Sequence, residues 1–103
     1  KEIRLVGGGA KSSLGRQICA DIFNCPVISP LAEEAGALGA ALQAMWCWYN
    51  EKKEKKSIKS VTEQFVKLNP NTLCEPDGKN VKSYDAFFDT YLEFNEVLAP
   101  KFK

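Results

Sequence analysis

Residues 3–22 constrain the fold more tightly than any other stretch of the chain. The aliphatic run Ile3-Arg4-Leu5-Val6 stops at three consecutive glycines, Gly7, Gly8 and Gly9, and then restarts with helical spacing. Aliphatic and β-branched residues in so short a run, bounded by glycine, read as a strand. Leu14, Ile18 and Ile22 then recur every fourth residue with Cys19 beside them, and Ser12 or Ser13 stands where a helix N-cap belongs. The pattern is strand, glycine turn, helix. Three glycines in a row add nothing to packing and raise the entropy cost of folding, so they mark backbone that needs positive φ or close approach to another group.

A phosphate fits that description, because a helix N-terminus carries unpaired N–H groups and partial positive charge, and glycines let an anion approach without meeting a Cβ. Gly7 to Ser13 would form the cradle. The motif is not a Walker A loop, since Ala10 separates Gly9 from Lys11, and it is not a full dinucleotide fingerprint, since Ser12 occupies the third glycine position. A tight strand-to-helix turn with no ligand is the alternative on these residues alone.

With 103 residues the chain is one domain or part of one, and if it folds alone it can bury roughly 65 per cent of its unfolded surface. Hydrophobic residues make up 45% and charged residues 26%, which is ordinary for a globular chain. Fourteen Lys and Arg against thirteen Asp and Glu leave no broad basic field, which argues against a nucleic-acid surface. The four cysteines, Cys19, Cys25, Cys47 and Cys74, form no C-x-x-C pair and there is no histidine, so neither a zinc site nor a histidine-based triad is expected. Cys19 and Cys47 sit in apolar helical patterns and read as reduced, buried thiols of a cytoplasmic protein. The longest apolar stretch, Ala35 to Tyr49, is too short for the roughly 20 residues that span a bilayer and reads as a buried helix. A strand begins almost at Lys1 with no signal peptide in view, and the chain reads as a fragment.

Asn24-Cys25 turns the chain, and Pro26 to Ser29 gives a second strand ended by Pro30, completing a βαβ unit with parallel strands. A helix is expected from Leu31 or Ala32 to about Tyr49, with Glu33 and Glu34 in its first turn. Leu38, Leu42, Met45 and Tyr49 form its core stripe, while Gly36, Ala40 and Ala44 form a line of small residues. Close packing on the sheet explains that line; the functional alternative puts Gly36 to Gly39 on the same ligand as the glycine turn. Trp46, Trp48 and Tyr49 suit core or interface better than a base-stacking platform. Glu51 to Lys56 is a mixed-charge, solvated linker. Ser57 to Leu68 is a short helix with Ser60 or Thr62 as candidate caps, Asn69 to Lys79 a loop, and Val81 to Leu98 a helix carrying Tyr84, Phe87, Phe88, Tyr91, Leu92 and Leu98, ended by Pro100. Asp85, Asp89 and Glu93 are its wet face rather than a carboxylate site.

Taken in order, Ile3 to Ser12, Arg16 to Phe23, Pro26-Val27 and Glu34 to Ala44 resemble the C-terminal end of the FGGY family of carbohydrate kinases, and within it the xylulokinases. The resemblance covers residues 1 to about 48. It implies an α/β fold, part of a ribonuclease-H-like ATPase domain of the actin and hexokinase superfamily, with a βαβ unit followed by helices. Residues 1–50 would be the nucleotide-binding βαβα portion, 51–59 the linker and 60–103 the C-terminal helical portion.

By the same resemblance, Gly7, Gly8, Gly9 and Ala10 pack against adenosine and its phosphates, with Lys11 near them, while Ser12, Ser13 and Gln17 reach toward adenine or ribose. The intact protein would transfer phosphoryl from ATP to a ketopentose such as D-xylulose, in the cytoplasm, with neither nucleic acid nor membrane as partner; a homo-oligomer is compatible with it. No catalytic base and no metal ligand can be assigned in this chain, because the family's aspartate base, N-terminal phosphate hairpin and magnesium site belong to other motifs. The segment alone is expected to be inactive. A non-catalytic nucleotide-binding or sugar-sensing module of the same fold is the alternative. Gly15 departs from the family, standing where many relatives have tryptophan, and Leu31 to Gly36 departs from the commoner acidic, glycine-rich version.

Overall fold

A computed structural model describes residues 1–102 of the chain. The elements in order are β1 (Ile3–Arg4), α1 (Gly8–Lys11), α2 (Ser13–Phe23), β2 (Val27–Pro30), α3 (Ala35–Glu51), α4 (Ile58–Phe65), β3 (Leu68–Cys74), α5 (Gly78–Leu98) and a closing 3-10 turn, Ala99–Phe102. β1 and β2 run parallel, with Ile3 opposite Val27 and Arg4 opposite Ile28, and α2 crosses between them. The βαβ unit expected from the spacing is therefore present. Leu5 N–H donates to Ile28 O at 2.9 Å, extending the pairing toward the glycines.

The sheet has a third strand that the sequence hides. Leu68–Cys74 lies antiparallel to β2, giving the order β1-β2-β3, although Asn69 to Lys79 reads as a loop. Pro70 and two asparagines suppress any strand pattern, and an edge position with an irregular register between Val27 and Ser29 tolerates them. The Ser29 N–H donates to the Thr72 hydroxyl at 2.9 Å, so a side chain does the work of a ladder bond.

Helix α2 starts on Ser12, whose Oγ accepts from Gly15 N–H at 3.2 Å, and stops at Asn24, whose φ of 45° is the left-handed cap that asparagine tolerates. Its apolar repeat, Leu14, Ile18 and Ile22, is exposed, while Ala20 and Asp21 are buried. The inner contacts of α2 include a polar cluster: the Asp21 carboxylate accepts from Asp77 N–H at 2.7 Å, Asn80 Nδ2 at 2.8 Å and Gln17 Nε2 at 2.9 Å, tying α2 to the start of α5.

Helix α3 begins at Ala35, later than expected, so Glu33 and Glu34 precede its first turn. Leu42 is buried with Leu38, Met45 and Tyr49 half-buried, as the spacing predicts, but Gly36, Ala40 and Ala44 are exposed. A Cβ on Gly36 or Gly39 would meet nothing within 4 Å, so no close packing within the described residues explains those glycines. Lys56 closes back on the helix end, its carbonyl accepting from Trp46 Nε1 at 2.8 Å and its ammonium standing 3.5 Å from the Tyr49 ring centre. Ser57, rather than Ser60 or Thr62, caps α4.

The core is small: Ala10, Ala20, Val27, Ile28, Leu42, Val61 and Val81 are its buried apolar residues. Beyond Val81 and the half-buried Tyr84, the aromatic stripe of α5 is exposed, including Phe87, Phe88 and Tyr91, and Cys47 is exposed rather than buried. The chain exposes 7986 Å², whereas a compact monomer of 11.4 kDa exposes about 5,800 Å². Its radius of gyration is 18.7 Å, against about 13 Å for a compact domain of this length. Apolar faces of α2, α3 and α5 thus stand uncovered among the described residues. Among the described residues no helix is long and apolar enough to cross a membrane.

Candidate functional site

The glycine turn follows the C-terminal end of β1. Gly7 has φ +88°, a conformation that favours glycine, and its carbonyl accepts from Ala10 N–H at 3.1 Å to start the single turn α1. A Cβ on Gly8 or Gly9 would meet nothing within 4 Å, so the outer side of the turn is bare backbone. The inner side is the opposite case. A Cβ on Gly15 would lie 2.6 Å from Gly9 O, so the turn is seated directly on α2 at that glycine. Any side chain at position 15 would require the turn to shift. Arg16 clamps the far end of the turn, its Nη1 donating to Ala10 O at 2.6 Å.

Beside the turn lies an open cavity of about 250 Å³, lined by residues at the ends of β1 and β2, by Gly7 and Ala10, and by Thr72 of β3. Lys11, Arg16 and Glu33 give it its charged groups, and Ser29 and Thr72 its hydroxyls. Lys11 Nζ is 3.0 Å from Glu33 Oε2 on the exposed rim, and the hydrogen bond that it donates to that carboxylate, with the carboxylate's charge, raises the lysine above its ordinary pKa. Arg16 Nε and Ser29 Oγ are buried without a hydrogen-bond partner among the described residues. A larger apolar cavity of about 440 Å³ adjoins it between α3, α4 and the sheet; Gly39 lines this one, not the cavity behind the turn.

The residues singled out from sequence fall into two groups. Gly7, Gly8, Gly9, Ala10 and Lys11 are brought together, with Gly7, Ala10 and Lys11 on the cavity wall. Ser12 and Ser13 start α2 beside them, Ser12 with its hydroxyl committed to the cap. Gln17 is elsewhere: its Nε2 donates to Asp21 and to Glu75 O at 2.8 Å, holding α2 to the segment after β3. Arg16, Ser29 and Thr72 were not legible as site residues. For Arg16 a signal existed, because it lies one helical turn before Ala20, a small residue that marks the inner face of α2.

No carboxylate here is placed as a free base. The Asp77 N–H, then Asn80 and Gln17, hold the Asp21 carboxyl below the usual carboxylate range in spite of burial, and Glu33 is paired with Lys11.

Residues 1–48 match the family model described as "FGGY family of carbohydrate kinases, C-terminal domain". A xylulose kinase of Haemophilus influenzae is 43% identical over 91 residues, covering 88% of this chain and 17% of that protein. A xylulose kinase of Bacillus subtilis is 35% identical over 88 residues, covering 84% of this chain and 16% of that protein. Among solved structures, a ligand-bound xylulose kinase from Lactobacillus acidophilus superposes with a TM-score of 0.76 at 28% identity, covering 99% of this chain and 20% of that one. The chain thus spans less than a fifth of the length of these curated relatives. In sequence and in its α/β fold, the chain matches the C-terminal segment of the FGGY carbohydrate kinases, which have the actin and hexokinase type of fold, and is most similar to segments of proteins named xylulose kinases.

Proposed function

We propose that this chain is the adenosine- and phosphate-binding part of a kinase that, when intact, converts ATP and D-xylulose to ADP and D-xylulose 5-phosphate. The observation that carries the reading is the glycine turn: bare backbone on its outer side, held rigidly from beneath by Gly15 and Arg16, in a chain whose relatives are named xylulose kinases. The residues present fit a nucleotide, because Cβ atoms at Gly8 and Gly9 would fill open space that a phosphate or adenosine face can occupy.

ATP, when bound, supplies the phosphoryl group and its leaving ADP. The chain's own residues would bind and orient it: backbone of Gly7 to Ala10 along the nucleotide, Lys11 at the rim, and Ser12 and Ser13 beside the turn. Gln17 has a positioning role through Asp21. Phosphoryl transfer needs both substrates aligned and their charge neutralised; the aspartate base and the magnesium ligands come from other parts of the intact chain, so residues 1–103 alone do not turn over. Within them, 1–50 is the nucleotide-binding portion, 51–59 a linker and 60–103 a C-terminal portion that returns one strand to the sheet. The intact protein works in the cytoplasm.

Intact protein supplied with ATP, magnesium and D-xylulose should release ADP in a coupled assay and form the 5-phosphate. If it binds ATP but phosphorylates no sugar or polyol, the reaction assignment is wrong and a non-catalytic nucleotide-binding module takes its place.

A further inference from the structure

The cavity behind the glycine turn holds two cations of unequal standing. Lys11 has its counter-charge in Glu33, 3.0 Å away, and both are exposed. Arg16 is half-buried and pairs with no carboxylate among the described residues; its one bond is from Nη1 to Ala10 O, and its Nε is buried without a partner. Ser29, more than nine-tenths buried on the wall of the same cavity, has an Oγ that is likewise without a partner. Buried polar groups are ordinarily satisfied, and a partly buried charge without a counter-ion is costly. Two orphaned groups lining one cavity therefore point to a ligand that brings acceptor atoms and negative charge.

We infer that Arg16, assisted by the Ser29 hydroxyl, is a binding residue for a phosphate of the nucleotide entering the cavity behind the glycine turn, with Lys11 at its rim. The inference rests on the reading of the turn as a nucleotide site. It assigns Arg16 two separable tasks: Nη1 holds the turn through Ala10 O, and the guanidinium charge meets the phosphate.

The test is calorimetric titration of the intact protein with ADP and, separately, with adenosine, for wild type, Arg16→Gln, Arg16→Lys and Gly9→Val. Loss of a charge-assisted phosphate contact should weaken ADP binding by Arg16→Gln about 10- to 100-fold, with adenosine affinity unchanged and Arg16→Lys in between. ADP binding by Arg16→Gln should also depend less on salt than that of wild type. Unchanged ADP affinity, or an equal loss for ADP and adenosine, overturns the inference, the latter because it leaves only the clamp on Ala10. If Gly9→Val loses ADP while Arg16→Gln keeps it, the turn stands as the nucleotide site and the Arg16 assignment alone falls. If wild type binds no ADP, or Gly9→Val binds it normally, both fall.

Discussion

Alanine at position 15 tests whether the glycine turn is truly seated on α2. The new Cβ would stand 2.6 Å from the Gly9 carbonyl oxygen, about 0.8 Å short of ordinary contact. The neighbour is backbone, so relief requires the turn to lift. Overpacking of this kind costs about 1–3 kcal/mol, and the better helix propensity of alanine returns about 1 kcal/mol, leaving a net loss of about 1 kcal/mol. The functional effect should exceed the thermodynamic one, because displacement on the order of 1 Å can cost about 100-fold in a positioned reaction. In the intact protein, Gly15→Ala should shift the denaturant midpoint slightly and raise the KM for ATP about 10-fold, while the KM for D-xylulose stays put. Gly8→Ala is the matched control, since its Cβ meets nothing within 4 Å. Its fold should be neutral or stabilised by up to about 1 kcal/mol, yet ATP should bind less well. Wild-type stability together with wild-type ATP KM in Gly15→Ala would refute the seat.

Asp21→Asn should flatten the acid limb of the stability curve. The folded carboxyl lies below its unfolded value, so its stabilisation is complete above about pH 4 and lost as pH falls through the folded value; identical pH profiles for variant and wild type would remove Asp21 as the tie between α2 and α5. Val27→Ala, at a wholly buried position in the central strand, should cost about 2 kcal/mol in chemical denaturation, and a neutral result would place the core elsewhere. The isolated 103 residues should bind an apolar fluorescent dye strongly and the intact protein weakly, because the exposed faces of α2, α3 and α5 need cover; equal binding would mean those faces stay bare.

The parts of the fold written in local patterns were legible. The glycines after Ile3 to Val6, the cap at Ser12, the reversal at Asn24 and the stripe through Leu42 each follow from short-range chemistry, and each is found. Features that depend on partners distant in sequence were not. β3 is stabilised by Ser29 and Thr72 across 43 residues, so its Pro70-broken sequence carries no strand period. Spacing identifies α2 and α5 as helices but does not say which side finds cover, and Leu14 and Phe87 are exposed. In the candidate site, the turn itself was readable because glycine has few other uses there. Lys11 was legible because it is adjacent to the glycines in sequence; that it pairs with Glu33 on the exposed rim, and that Arg16 of α2 lines the same cavity, depends on contacts that spacing does not encode.

The most direct measurement is a crystal structure of the intact protein with a non-hydrolysable ATP analogue. The account predicts the nucleotide in van der Waals contact with the backbone from Gly8 to Ala10. An analogue bound elsewhere, with the glycine turn open to solvent, would contradict it.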